Sequence, residues 1–146
     1  MTTSRVPSLR SALKSVFETQ LVADTITGVT VTEFDSGDEQ TGDWVFFGSI
    51  RSSQVEHSFG GSRQETLNVE GFIRVERPGA GDSVAAAAED RAHLILGSLE
   101  DSLRSDITVS STVFDCVIAG HESGYATTTE GRVAVIAFDL VAEAHI

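Results

Sequence analysis

Two hydrophobic periods take turns along the chain. Near the amino terminus Leu9, Ala12, Leu13, Val16, Phe17 and Leu21 recur at helical spacing. They predict a helix from Pro7 or Ser8 to Ala23, with Arg10, Lys14 and Glu18 outward. Pro7 suits a first helical turn, and Ser4 or Ser8 is the expected cap. A short strand, "VTVTEF" (29–34), follows, and the acidic, glycine-rich "DSGDEQTGD" (35–43) reads as a solvated loop. Two longer strands come next, "DWVFFGSIRSSQVEHSF" (43–59) and "ETLNVEGFIRVE" (65–76), with "GGSR" (60–63) as a flexible hairpin tip. In the second of them Leu67, Val69, Ile73 and Val75 share one face, and Asn68, Glu70, Arg74 and Glu76 the other. The helical period returns from about Ser83 to Leu103, where Ala88, Ala92, Ile95, Leu99 and Leu103 form one stripe behind a cap at Asp82 or Ser83. Strands at about 112–121 and 131–142 close the pattern, with "ESGYATTTEG" (122–131) as their connection.

The order is therefore α-β-β-β-α-β-β. It predicts a single α+β domain over residues 1–146, with two helices packed on one face of a mostly antiparallel sheet. A nucleotide-binding sheet would need repeated βα units, and the pattern has none.

One junction invites a chemical reading. In "VERPGAGDSVAAAAED" (75–90) a strand meets a helix across Gly79 and Gly81. A dinucleotide fingerprint would need a third glycine where Val84 stands. A P-loop would need a lysine at the helix start, and the one lysine is Lys14. Asp82, Glu89 and Asp90 would also repel a phosphate. The stretch reads as an elbow.

Composition narrows the field further. The formal charge is −12, from 22 acidic and 10 basic residues, so no basic footprint for nucleic acid is visible. Arg10 and Lys14 break up the amino-terminal segment as a leader, and the longest strongly apolar run, "VAVIAF", cannot span a membrane. A cytoplasmic site of synthesis is expected, with no membrane partner. Cys116 is the one cysteine and reads as a core residue. His57, His93, His121 and His145 show no metal-ligand spacing, although His57 beside Glu56 and His121 beside Glu122 offer carboxylate–histidine pairs. No nucleophile elbow is present. The reading is of a protein that is not an enzyme and holds no cofactor or metal.

The feature that remains is the last strand. In "RVAVIAFDLVAEA" Ala134, Ile136, Phe138 and Leu140 take one face, and Val133, Val135, Ala137 and Val141 the other, with Asp139 as the one charge. "WVFFG" likewise puts Trp44 and Phe46 opposite Val45 and Phe47. A two-layer domain needs only one apolar face on such a strand. The second is covered by a loop, by the helices, or by a neighbouring subunit.

In element order, size and acidity the chain resembles the tail terminator proteins of long-tailed bacteriophages. "WVFFG" (44–48), entering the second strand, and "RQETLNVEGFIRVE" (63–76), running into the long helix, carry the resemblance. It implies a virion structural protein: a hexameric ring that caps the finished tail tube, ends tail polymerisation and joins tail to head at the neck. Implied partners are further copies of the chain, the tail tube protein and the head–tail connector protein, with genomic DNA passing through the lumen unbound. Assembly would take place in the host bacterial cytoplasm. Val133, Val135, Ala137 and Val141 are then the candidate subunit interface. The loop carrying His57, Phe59, Gly60, Gly61 and Arg63 is the candidate contact with the tube. Alternatives are another head–tail connector, neck or tail component, or a small-molecule-binding α+β domain, which would need an apolar pocket under the sheet.

Overall fold

A computed structural model describes residues 4–35, 42–56, 63–129 and 131–146. Helix α1 spans Val6–Ala23 and α2 spans Asp82–Ser105. The strands are β1 (Val29–Val31), β2 (Asp43–Glu56), β3 (Arg63–Pro78), β4 (Asp115–Thr127) and β5 (Gly131–His145). They form one sheet in the order β1-β2-β3-β5-β4. The β1–β2 pair is parallel and the other three pairs are antiparallel.

Both helices lie on the same side of this sheet and share one core with it. Leu9, Leu13, Phe17 and Leu21 of α1 and Ala88, Ala92, Ile95, Leu99 and Leu103 of α2 are buried against Val45, Phe47, Leu67, Val69, Ile73, Ile136, Phe138 and Leu140. The two apolar stripes and the alternation of β3 thus do what their periods predict. The β3–α2 elbow is a three-residue link in which Gly79 (φ +107°) and Gly81 (φ +101°) take positive φ, a region L side chains avoid. Gly81, not Asp82 or Ser83, is the N-cap, and no side chain caps α2 there.

The start of α1 is held from a distance. Its N-cap is Arg5, whose backbone N–H donates to Glu65 Oε1 on β3 at 2.8 Å. Ser4 donates its hydroxyl to the same carboxylate and accepts from the N–H of Val6. Ser52 and Gln54 of β2 also donate to Glu65, which is fully buried. Burial pushes this carboxyl upward, but the donors from Ser4, Ser52, the Arg5 backbone and Gln54 outweigh it and hold it below its ordinary value.

Arg10 departs from the expectation of an outward side chain. It is only 9% exposed, donates to the carbonyls of Glu33 (2.8 Å) and Gly48 (2.9 Å), and lies over the Phe34 ring. A long stem lets arginine cross an apolar surface and deliver its donors to stranded carbonyls. Asp43 makes the matching tie at the far end of β2: Arg77 and Arg91 both pair with it, at 2.7 and 3.0 Å.

Residues 122–127, expected in a connection, are the second half of β4. They pair with β5 down to Thr127–Arg132, which leaves a short turn closed by the Thr128 N–H on the Gly131 carbonyl. Ladder bonds to an apolar partner strand outweigh the turn preference of Ser123 and Gly124. Between α2 and β4 the chain makes a left-handed turn through Val109, Ser110 and Ser111, all at positive φ. The Asp106 carboxylate holds it by accepting from the Thr108 hydroxyl and the Ser110 N–H.

Candidate functional site

The helix-free face of the sheet is built from alternate residues of the four long strands. One cross-strand row reads Trp44, Arg74, Val135, Gly124, and the next reads Phe46, Phe72, Ala137, Glu122. Phe46 and Phe72 stack with ring centroids 5.2 Å apart. A third row holds Glu70 and Asp139, both exposed, and a fourth runs Arg51, Asn68, Val141, Val117. The face is therefore an aromatic end that also carries Arg74 and Glu122, an acidic waist and a mixed end.

Of the four residues expected on this face, Val133 is buried, while Val135, Ala137 and Val141 are half-buried. Both helices pack on the opposite side, so among the described residues no helix covers this one. Of the three covers weighed for the second face, the helices are thereby ruled out.

Two irregularities decide which residues reach which face. In β2 the register shifts between Phe47 and Ile50, so the core phase passes from Val45 and Phe47 to Ile50 and Ser52. In β4 it shifts between Ile118 and Gly120, and the core phase passes from Cys116 to His121, Ser123 and Tyr125. His121 and Ser123 then stand beside α2. The His121 ring comes within 5.9 Å of His93, edge to face, and Ser123 Oγ lies 3.2 Å from His93 Nε2. Two histidines that look dispersed in sequence are neighbours, and His121 sits in mid-strand rather than at a strand end.

The serine–histidine contact lacks what nucleophilic catalysis requires. Ser123 and His93 are exposed, and among the described residues no carboxylate bonds to either imidazole to orient it. No group of three metal-ligating side chains is gathered among the described residues. Cys116 is fully buried, and burial, with Asp115 beside it, pushes its thiol up to about 12. It is held as a neutral thiol in the core. A hollow of about 170 Å³ does exist, with Leu103, Ile107, Cys116, Val117 and Ile118 as its apolar lining and Glu100 and Arg104 as its charged lining. It lies at the sheet's rim, where α2 meets β4, rather than under the sheet.

The candidate tube-contact loop falls largely outside the described residues, which exclude His57, Phe59, Gly60 and Gly61. Arg63 is described. It opens β3 as an exposed side chain, with its backbone paired to Ile146. Below the loop, β2 and β3 remain paired from Ile50–Val69 out to Glu56–Arg63, and β5 accompanies β3 as far as Gln64–His145, so this β2–β3 arm is part of the sheet. No helix of the described residues is long and apolar enough to cross a membrane.

Neither a protein-family model nor a curated protein matches this chain. Among solved structures, one match is a chain from the virion of a native gene transfer agent particle, at 14% identity. The match covers 92% of this chain and 96% of that one, with a TM-score of 0.46. A likeness of that size carries neither fold nor function across.

Proposed function

We propose that the chain is a ring-forming structural subunit of a phage-type virion, and specifically a tail terminator. The observation that carries the reading is the helix-free face. It bears Trp44, Phe46, Phe72, Val135, Ala137 and Val141, and the helices lie on the other side. Patches of this kind on a soluble domain mark contacts with other proteins. The element order that accompanied the sequence resemblance is the order of the fold, which supports the same reading.

In this reading neighbouring copies meet over Val133, Val135, Ala137 and Val141 and close a hexamer. The β2–β3 arm carries the loop from His57 to Arg63 toward the end of the tail tube, and the opposite surface meets the head–tail connector. A strongly acidic ring suits a passage that DNA must cross without being held, because like charges repel. The protein acts by geometry: once the ring sits on the last layer of the tube, no further tube subunit can add.

Electron microscopy of particles made without this gene tests the proposal. Overlong tails detached from heads are the expected outcome. Tails of normal length left unattached would point instead to a connector or neck component. Intact particles of normal length would end the virion reading.

A further inference from the structure

Two stretches of the sheet have an unpaired backbone edge. Parallel strand β1 reaches only Asp43, Trp44 and Val45, so beyond them β2 has β3 as its one partner among the described residues. At the other border β4 pairs with β5 alone. Soluble proteins blunt such edges with lysine, proline or bulges; β2 and β4 contain neither lysine nor proline, and their bulges, at 47–50 and 118–120, border rather than interrupt the stretches 50–55 and 115–118. We propose that these two edges belong together: the β2 arm of one copy adds to β4 of a second, continuing the sheet from subunit to subunit.

Three observations converge on this pairing. The first is direction. β2 is antiparallel to β3, β3 to β5, and β5 to β4, so β2 and β4 run in opposite senses. Copies related by a rotation about an axis roughly parallel to the strands keep that relation, and the seam is then an antiparallel ladder. The second is level. Ser53, Thr66, Glu143 and Asp115 form one cross-strand row, so the free part of the arm and the first half of β4 lie at the same end of the sheet. β1 blocks the other end of β2, and the β4 bulge after Ile118 marks where a straight ladder on that strand stops.

The third is chemistry. Arg51 of the arm is exposed on the helix-free face, in the row next to that of Asp115 on β4. Brought across the seam, that arginine meets Asp115 within a chain that is otherwise strongly acidic. Val55 on the arm is 59% exposed and Val117 on β4 is 47% exposed. Both stand on the same face, so the ladder shields apolar surface together with the charge pair. The rim hollow beside Cys116, Val117 and Ile118 lies next to the same half of β4.

A heterologous contact of this kind repeats by rotation and either closes or runs on as a filament. The seam rests on the ring reading for its closure, though not for its existence.

Amide hydrogen exchange on the full chain, below and above its association threshold, tests the seam together with a charge swap. Assembly should slow exchange at 50–55 and 115–118. Arg51→Asp and Asp115→Arg should each raise the concentration needed for assembly about tenfold or more, and the double swap should restore it. Assemblies in which both edges exchange as fast as in the monomer, while the helix-free face becomes protected, would overturn the seam and leave the ring standing. Failure of the double swap to recover what the single changes lose would also overturn it. So would a chain that stays monomeric to its solubility limit, whatever the tails of the gene-deleted particles look like.

Discussion

The two faces of β3 obey opposite requirements. On the helix side Leu67, Val69, Ile73 and Val75 are buried to within 1% of complete, under side chains supplied by the same chain. On the other side Asn68 and Glu70 are exposed, and Phe72 and Arg74 are half-buried. The first face is settled when the chain folds. The second has apolar groups that folding leaves partly in contact with water, and in the proposed reading association completes its burial. A substitution therefore reports on stability or on assembly according to the parity of its position.

The sharpest test of the helix side is Leu99→Ala. Leu99 is fully buried in the shared core, and the change should cost about 2–5 kcal/mol in denaturant unfolding. A loss below about 1 kcal/mol would mean that this face is not close-packed.

A somewhat smaller loss is expected at Gly71. The Phe138 ring of the adjacent strand lies over it, and an added methyl would collide with that ring. Gly71→Ala should cost about 1–3 kcal/mol, and Phe138→Leu in the same chain should recover part of it. A neutral Gly71→Ala would show that the sheet flexes there.

Smaller again is the acid response of Glu65, the one charged group sunk on the helix side of β3. Its folded value lies below the ordinary carboxylate range, so its stabilisation is complete above that range and is lost as pH falls through the folded value. Thermal melts should show stability declining through the acid range, and Glu65→Gln should flatten that decline. Asp43, whose value burial raises but its two arginines lower further, contributes a parallel fall that Glu65→Gln leaves in place.

The other face should behave in the reverse manner. Val135→Glu is expected to change monomer stability by less than about 1 kcal/mol while abolishing self-association in native mass spectrometry. Loss of the fold would instead make Val135 a core residue and erase the contrast between the faces. Smallest of all is the response to duplex DNA. With 22 acidic residues against 10 basic ones, no binding is expected even at low salt, and a micromolar shift would reveal a concentrated basic patch.

Much of this was legible in the sequence because period encodes burial. The stripes of α1 and α2, the alternation of β3 and the double apolar character of β5 each follow from counting residues, and the helix-free patch was marked by Val135 and Ala137 before any fold was known. What escaped depends on contacts distant along the chain. Glu65 stands in the core phase with Leu67 and Val69, and that misplaced acid was a signal, but its donors at Ser4 and Ser52 lie on other elements. Arg10 looked outward because its partners, the carbonyls of Glu33 and Gly48, are far off in sequence. The bulges of β2 and β4 reverse side-chain phase within a strand, so alternation could not foretell that His121 and Ser123 meet His93. The connection expected at 122–131 failed for a related reason, since Ser123 and Gly124 were read by their turn chemistry while their pairing with β5 prevailed.

The strand order also bears on how the chain is made. Of the five strands, β5 is the last to leave the ribosome, yet it stands between β3 and β4. Until it emerges, β3 displays a bare edge, β4 has no partner and α2 lacks half of its seat. The nascent chain can close the β2–β3 hairpin early, but completing the sheet waits for a segment synthesised after all the others. Completion of the sheet is thus tied to the synthesis of β5, and loss of 131–145 removes the middle of the sheet rather than its border.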